Sequence, residues 1–198
     1  MTDLQGFFAN LLVREGQSPI KLISAWRPAD ERAVRGAFET AVRTPMFAEP
    51  IAIGRLNNQA AGNGLAATLP ACLNPALVGH GYWLTQCEGA GYPDMRLVDL
   101  RHLRSFPVEV KTSSRQGLHN SRLVLSSSTS KLRTRFRPPI HHLMLSLRYR
   151  RRRGQAFLIG VRLNFLSPKT RVDVRWEASL TSRRLAVDGV WLDTSAGV

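Results

Sequence analysis

Asp94, Glu109 and Lys111 are the residues whose types and spacing can do chemistry in this chain. Asp94 closes Tyr92-Pro93-Asp94, and after a gap long enough for one β-turn comes Glu109-Val110-Lys111. Glu109 and Lys111 are spaced at the strand period, so in an extended chain both project from one face. Val108 and Val110 then turn the other way, into a core. If residues 95–100 pair with this strand, Asp94 approaches Glu109. Two facing carboxylates with an ammonium beside them can hold a hard divalent cation and an activated water against a phosphodiester.

Charge says what such a site would act on. The chain has 28 Lys and Arg against 14 Asp and Glu, a net charge of +14. Residues 1–95 carry 7 basic and 8 acidic side chains, whereas residues 96–184 carry 21 basic and 4 acidic. The last stretch adds Asp188 and Asp193 and no base. The positive potential therefore begins where the candidate site begins. Polyanions bind such a surface largely by counterion release, which points to nucleic acid.

The elements that must position these residues change character along the chain. Phe7, Phe8, Leu11 and Leu12 predict a short helix ending near Gly16. Pro28 can open the next, in which Val34, Ala37, Phe38, Ala41 and Val42 form one apolar stripe. Pro45 and Pro50 bound a loop, and a weaker helix is expected from 56 to about 69. Pro70, Pro75, Gly79, Gly81, Gly89 and Gly91 punctuate the approach to Asp94, so the first ninety residues read as helical. From Met95 onward the period is two. Leu143, Leu145, Leu147 and Tyr149, a turn at 151–154, then Phe157, Ile159, Val161, Leu163 and Phe165 predict a hairpin. Val172, Val174, Trp176, Ala178 and Leu180 alternate in a further strand. Residues 112–140, rich in Ser and Arg, do not read clearly as a helix.

A chain of 198 residues suits one continuous domain, with 1–70 as a helical N-terminal region and 71–198 as the core. Cys72 and Cys87 are too few for a disulfide framework or a zinc site and suggest a reducing compartment. No apolar run is long enough to span a bilayer, and the first residues lack a basic signal-peptide region. The expectation is a cytoplasmic protein.

Pro93-Asp94 and Glu109-Val110-Lys111, set after helices, across a β-hairpin and before further strands, resemble the PD-(D/E)xK nuclease superfamily. Within it they look like the type II restriction endonucleases. The resemblance implies an α/β fold with a mixed β-sheet flanked by helices. It also implies Mg2+-dependent, sequence-specific hydrolysis of double-stranded DNA. Carried onto this chain, Asp94 and Glu109 would be metal ligands, joined by the Val110 carbonyl. Lys111 would orient the attacking water or stabilise charge developing at phosphorus. A further acid often comes from a preceding helix; Glu39, Glu49 and Glu88 remain open for that role. Cutting both strands of a palindrome needs two sites related by a twofold axis, which implies a homodimer with the N-terminal helices as interface. A partner DNA methyltransferase in the same cell is implied as well.

Other residues would guide DNA to the site. Ser113, Ser114 and Arg115 follow the candidate catalytic strand, where the chain must run near a scissile phosphate. Lys131, Arg133, Arg135 and Arg137 alternate along an extended segment suited to tracking phosphates. Arg148 to Arg153 is either a solvated hairpin tip or a second backbone contact. His141 and His142, being adjacent, face opposite sides and cannot easily share an ion, so one packed and one exposed histidine are expected. His80, His102 and His119 stand isolated, and the tryptophans read as core. Two rival readings stay open: a junction resolvase on the same core, and a basic nucleic-acid-binding protein without catalysis.

Overall fold

The computed structural model describes residues 2–14, 16, 21–54, 58–88, 93–114, 122–124, 139–172, 179–181 and 190–193. In chain order the elements are β1 (Thr2–Asp3), α1 (Leu4–Arg14), α2 (Pro28–Val42), α3 (Pro45–Ala48), β2 (Ile51–Ala52) and α4 (Asn58–Leu77). There follow β3 (Tyr82–Gln86), β4 (Met95–Asp99), β5 (Arg104–Ser113), β6 (Arg122–Val124), β7 (Leu143–Arg152) and β8 (Gln155–Phe165). The last are β9 (Arg171–Val172), β10 (Ser179–Thr181) and β11 (Val190–Asp193). A mixed sheet runs β11-β8-β7-β5-β4-β3, with β2 also on β8. Among the described residues, only β5 and β7 pair in parallel within it. The protein is thus a mixed α/β structure.

One face of this sheet meets α2 and α4. The apolar stripe of α2 buries Val34, Ala37, Phe38, Ala41 and Val42. Against them lie Leu84, Leu97, Phe106, Val108, Val110, Leu145, Leu147 and Tyr149 from the strands. Trp26 joins this core, its indole donating to the His142 carbonyl at 2.9 Å. Trp83 departs from the expectation for the tryptophans, standing 45% exposed on β3. Of the two adjacent histidines, His142 is fully buried and His141 is half-buried against the Trp26 and Phe106 rings. Burial pushes the His142 imidazole down to about 3, so it packs as a neutral ring.

Several elements differ from the sequence reading, each for a physical reason. The Pro45–Pro50 stretch is not all loop: Pro45, at the first helical position, starts the single turn α3. Residues 82–86 form a strand, because Tyr82 and Leu84 turn inward and Trp83 outward. The helix α4 does not stop near 69 but runs through Pro70 and Pro75 to Leu77. Each interior proline costs about 3 kcal/mol. Four fully buried leucines, Leu65, Leu69, Leu73 and Leu77, each contribute about 1.5–3 kcal/mol, which offsets that cost. Asn74 then clamps the helix to β3, donating to the Leu84 carbonyl at 2.9 Å and accepting the Leu84 N–H at 2.8 Å.

The β7–β8 hairpin closes through Arg153 and Gly154, both at positive φ (49° and 77°), the two-residue turn that matches strand twist. A register shift between Arg148 and Tyr149 changes the phase of β8. Ala156 and Leu158 therefore face the core, while Phe157 and Ile159 are only half-buried. Most of the strand expected after Val172 lies outside the described residues, Trp176 included.

Close approach of α4 to β5 needs a glycine. A Cβ at Gly62 would run into the Thr112 hydroxyl on β5, and Ala61, one position earlier, is fully buried. Gly62→Ala should gain about 1 kcal/mol of helix propensity and lose about 2–3 kcal/mol to overpacking. Denaturant unfolding is expected to show a net loss of about 1–2 kcal/mol, relieved when Thr112→Ala is added. Equal stability of Gly62→Ala and wild type would contradict this packing.

Candidate active site

The two ends of the β4–β5 hairpin are both held by carboxylates. At the turn, buried Asp99 accepts the Arg101 and His102 backbone N–H groups at 3.1 Å each. Its other oxygen takes Arg104 Nη2 at 2.7 Å and lies 2.8 Å from His102 Nδ1, so His102 is not isolated. The Arg104 guanidinium also reaches Asp30 on α2, at 2.9 and 3.0 Å. Burial would raise the Asp99 carboxyl, but the hydrogen bonds from Arg104 and His102 outweigh it and hold the group below its ordinary value.

At the open end, Met95 pairs with Val108, and continuing that register sets Asp94 opposite Glu109. Here the Asp94 side chain extends the ladder: Val110 N–H donates to Asp94 Oδ2 at 2.8 Å. The Asp94 carbonyl accepts the Cys87 N–H at 3.0 Å, tying the same residue to the end of β3. Pro93 before it is buried and Asp94 itself is exposed. Asp94 is thus fixed by two strands at an exposed position.

Glu109 lies on the opposite face of β5 from Val108 and Val110 and is 2% exposed. Lys111, on the same face, bonds Glu109 Oε1 through Nζ at 2.6 Å. Oε2 has no hydrogen-bond partner among the described residues. Burial pushes the Glu109 carboxyl up to about 8; Lys111 opposes this rise and the Asp94 charge adds to it. Two acceptors face each other, so Glu109 and Asp94 can bond directly only when Glu109 carries a proton. A divalent cation would serve the same oxygens without the proton.

A cavity of about 350 Å³ opens beside Asp94 and Lys111, with Glu109 buried behind its lining. Gly62, Asn63, Ala66 and Ala67 of α4 form one wall, with Gln86, Cys87, Asp94, Lys111 and Thr112 across from them. The residues present fit a hard cation with few protein ligands: Asp94, the partnerless Glu109 oxygen and the Val110 backbone, with water or phosphate oxygens completing the shell. No cluster of three His, Cys, Asp or Glu occurs among the described residues. Glu39 is half-buried on α2, Glu49 and Glu88 are exposed, and none of the three lines the cavity.

The structure therefore brings together Asp94, Glu109, Val110 and Lys111. Ser113 ends β5 half-buried and Ser114 follows exposed. Arg115, Lys131, Arg133, Arg135 and Arg137 lie outside the described residues, as does Tyr92. Asn63 and Gln86 were not singled out from the sequence. Their only signal is the closeness of α4 and β3 to β5, which the chain does not spell out locally. Compared with known proteins, the chain matches no family model and no curated protein sequence.

The shifted Glu109 carboxyl has a consequence for stability. Its folded value of about 8 lies above the ordinary 4.5. Between those values the folded chain holds a proton that the unfolded chain has released, so its contribution is complete below about pH 4.5 and is lost as pH rises through 8. Glu109→Gln should flatten the pH dependence of the unfolding midpoint between pH 5 and 8, and saturating Mg2+ should flatten it in the wild type. An identical pH profile for wild type and Glu109→Gln would contradict a buried, protonated Glu109.

Proposed function

We propose that this chain is a Mg2+-dependent deoxyribonuclease of the PD-(D/E)xK type, acting on double-stranded DNA in the manner of a type II restriction endonuclease. The observation that carries the reading is the register position of Asp94 opposite Glu109, with Lys111 bonded to Glu109 beside an open cavity. A sheet built for stability alone gains little from a fully buried carboxyl set against a second carboxylate. The strongly basic composition after residue 95 supports a polyanionic substrate.

In this reading Asp94 and Glu109 hold the cation, with the Val110 carbonyl as third protein contact. Bound Mg2+ would supply a Lewis acid for the phosphodiester and lower the pKa of a coordinated water. Hydrolysis forms a bond from the water oxygen to phosphorus and breaks the bond from phosphorus to the leaving sugar oxygen. Lys111, steered by its bond to Glu109, sits where an ammonium can orient that water or stabilise charge developing on the phosphoryl oxygens. Ser113 and Ser114 lie directly beyond and would meet the substrate backbone. A homodimer would cut both strands, and a restriction role would require a companion DNA methyltransferase in the cell.

Digestion of plasmid DNA with Mg2+, followed by sequencing of the ends, tests the activity, the recognition sequence and the cut geometry together. Asp94→Ala and Glu109→Ala should each lower cleavage about 10²–10⁴-fold, equivalent to several kcal/mol of transition-state stabilisation. Both should keep duplex binding in Ca2+. Cleavage confined to branched DNA would favour a resolvase, and binding without cleavage a non-catalytic protein. Undiminished cleavage by either variant would remove these residues from the site.

A further inference from the structure

We propose that one DNA strand leaves the candidate site along β7, its phosphates held by Arg150 and Arg152 in a cationic row that begins at Lys111 and passes Arg148. The inference rests on the nucleic-acid reading of that site and extends it to the path of the substrate. Parallel pairing sets Lys111 opposite Ser146 and Ser113 opposite Arg148. Leu147 and Tyr149 are buried on the core face, so the alternating Arg148, Arg150 and Arg152 stand on the face that bears Glu109 and Lys111. The register shift takes up its extra residue on β8, where Arg148 pairs with Gly160 and Tyr149 with Leu158, so the alternation of β7 is unbroken. At about 3.3 Å per residue, Arg150 and Arg152 lie roughly 13 and 20 Å along the strand from the level of Lys111.

Charge and rigidity fit this row to a phosphate backbone. Arg150 and Arg152 are exposed, and among the described residues neither has a carboxylate partner. No Asp or Glu occurs from Val110 to Val172, so this stretch brings no counter-charge of its own. The tip is also braced. Its turn residue Gly154 offers one carbonyl to both the Ile53 and Gly54 N–H groups, at 3.0 and 2.9 Å. A braced hairpin presents these cations without having to order its backbone on binding.

The same hairpin supplies its own control. Arg151 pairs with Ala156 on the core-face phase of the strand, and Arg153 sits in the turn. Duplex binding by the full chain, followed by anisotropy in Ca2+ over a salt series, should distinguish the pairs. Arg150→Gln with Arg152→Gln should reduce the slope of log affinity against log salt by about 1.8, two phosphate contacts' worth. Arg151→Gln with Arg153→Gln removes the same charge and should change the slope by a third of that or less. Thermal unfolding would verify that both variants fold. Equal effects of the two pairs would overturn the row, as would preference of the wild type for phosphatidylserine vesicles over duplex. Row-dependent binding without Mg2+-dependent cleavage supports the row and overturns the nuclease reading. Cleavage without a row effect does the reverse.

Discussion

The register of β4 against β5 is the constraint on which the candidate site depends. A slip of one residue would carry Glu109 and Lys111 into the apolar core and turn Val108 and Val110 out of it. The hairpin prevents this at both ends. Asp99 gathers the turn through two backbone N–H groups and Arg104, and Arg104 ties that turn to Asp30 on α2. At the other end the Asp94 carboxylate accepts the Val110 N–H. One oxygen of Asp94 is therefore structural, and the carboxylate is held in a defined place.

Glu109 is the second tension in the structure. Its carboxyl is buried, one oxygen is bonded by Lys111 and the other has no partner among the described residues. Burial prevails over the attraction of Lys111, so the group holds its proton to higher pH than an ordinary glutamate. Replacing buried ionisable groups by apolar ones is often neutral or stabilising, so stability alone does not account for an acid here. A cation exchanged for that proton would satisfy Glu109, Asp94 and a phosphate together. The positive residues that follow the site in sequence would offer such a phosphate its counter-charge.

Much of this was legible in the sequence where local pattern and burial coincide. The stripe of α2 could be read residue for residue, because its 3.6 period is uninterrupted. The facing of Glu109 and Lys111 followed from the strand period, and the β7–β8 hairpin from its alternation and its Arg-Gly turn. Tertiary packing overruled local pattern elsewhere. Pro70 and Pro75 signalled a stop, but the leucine stripe of α4 and the Asn74 clamp carry the helix past them. The phase of β8 is not legible locally, because a bulge leaves no mark in a run of apolar residues. Asn63 and Gln86 reach the cavity from elements far from β5 in sequence, so no spacing rule could find them.

The central claim is that Asp94 and Glu109 exchange a proton for a divalent cation. Calorimetric titration with Mg2+ at pH 7, repeated in buffers of different ionisation enthalpy, counts the protons released on binding. The account predicts about one proton per cation, lost when Glu109 is replaced by Gln. Absence of cation binding, or binding with no proton release, would contradict it.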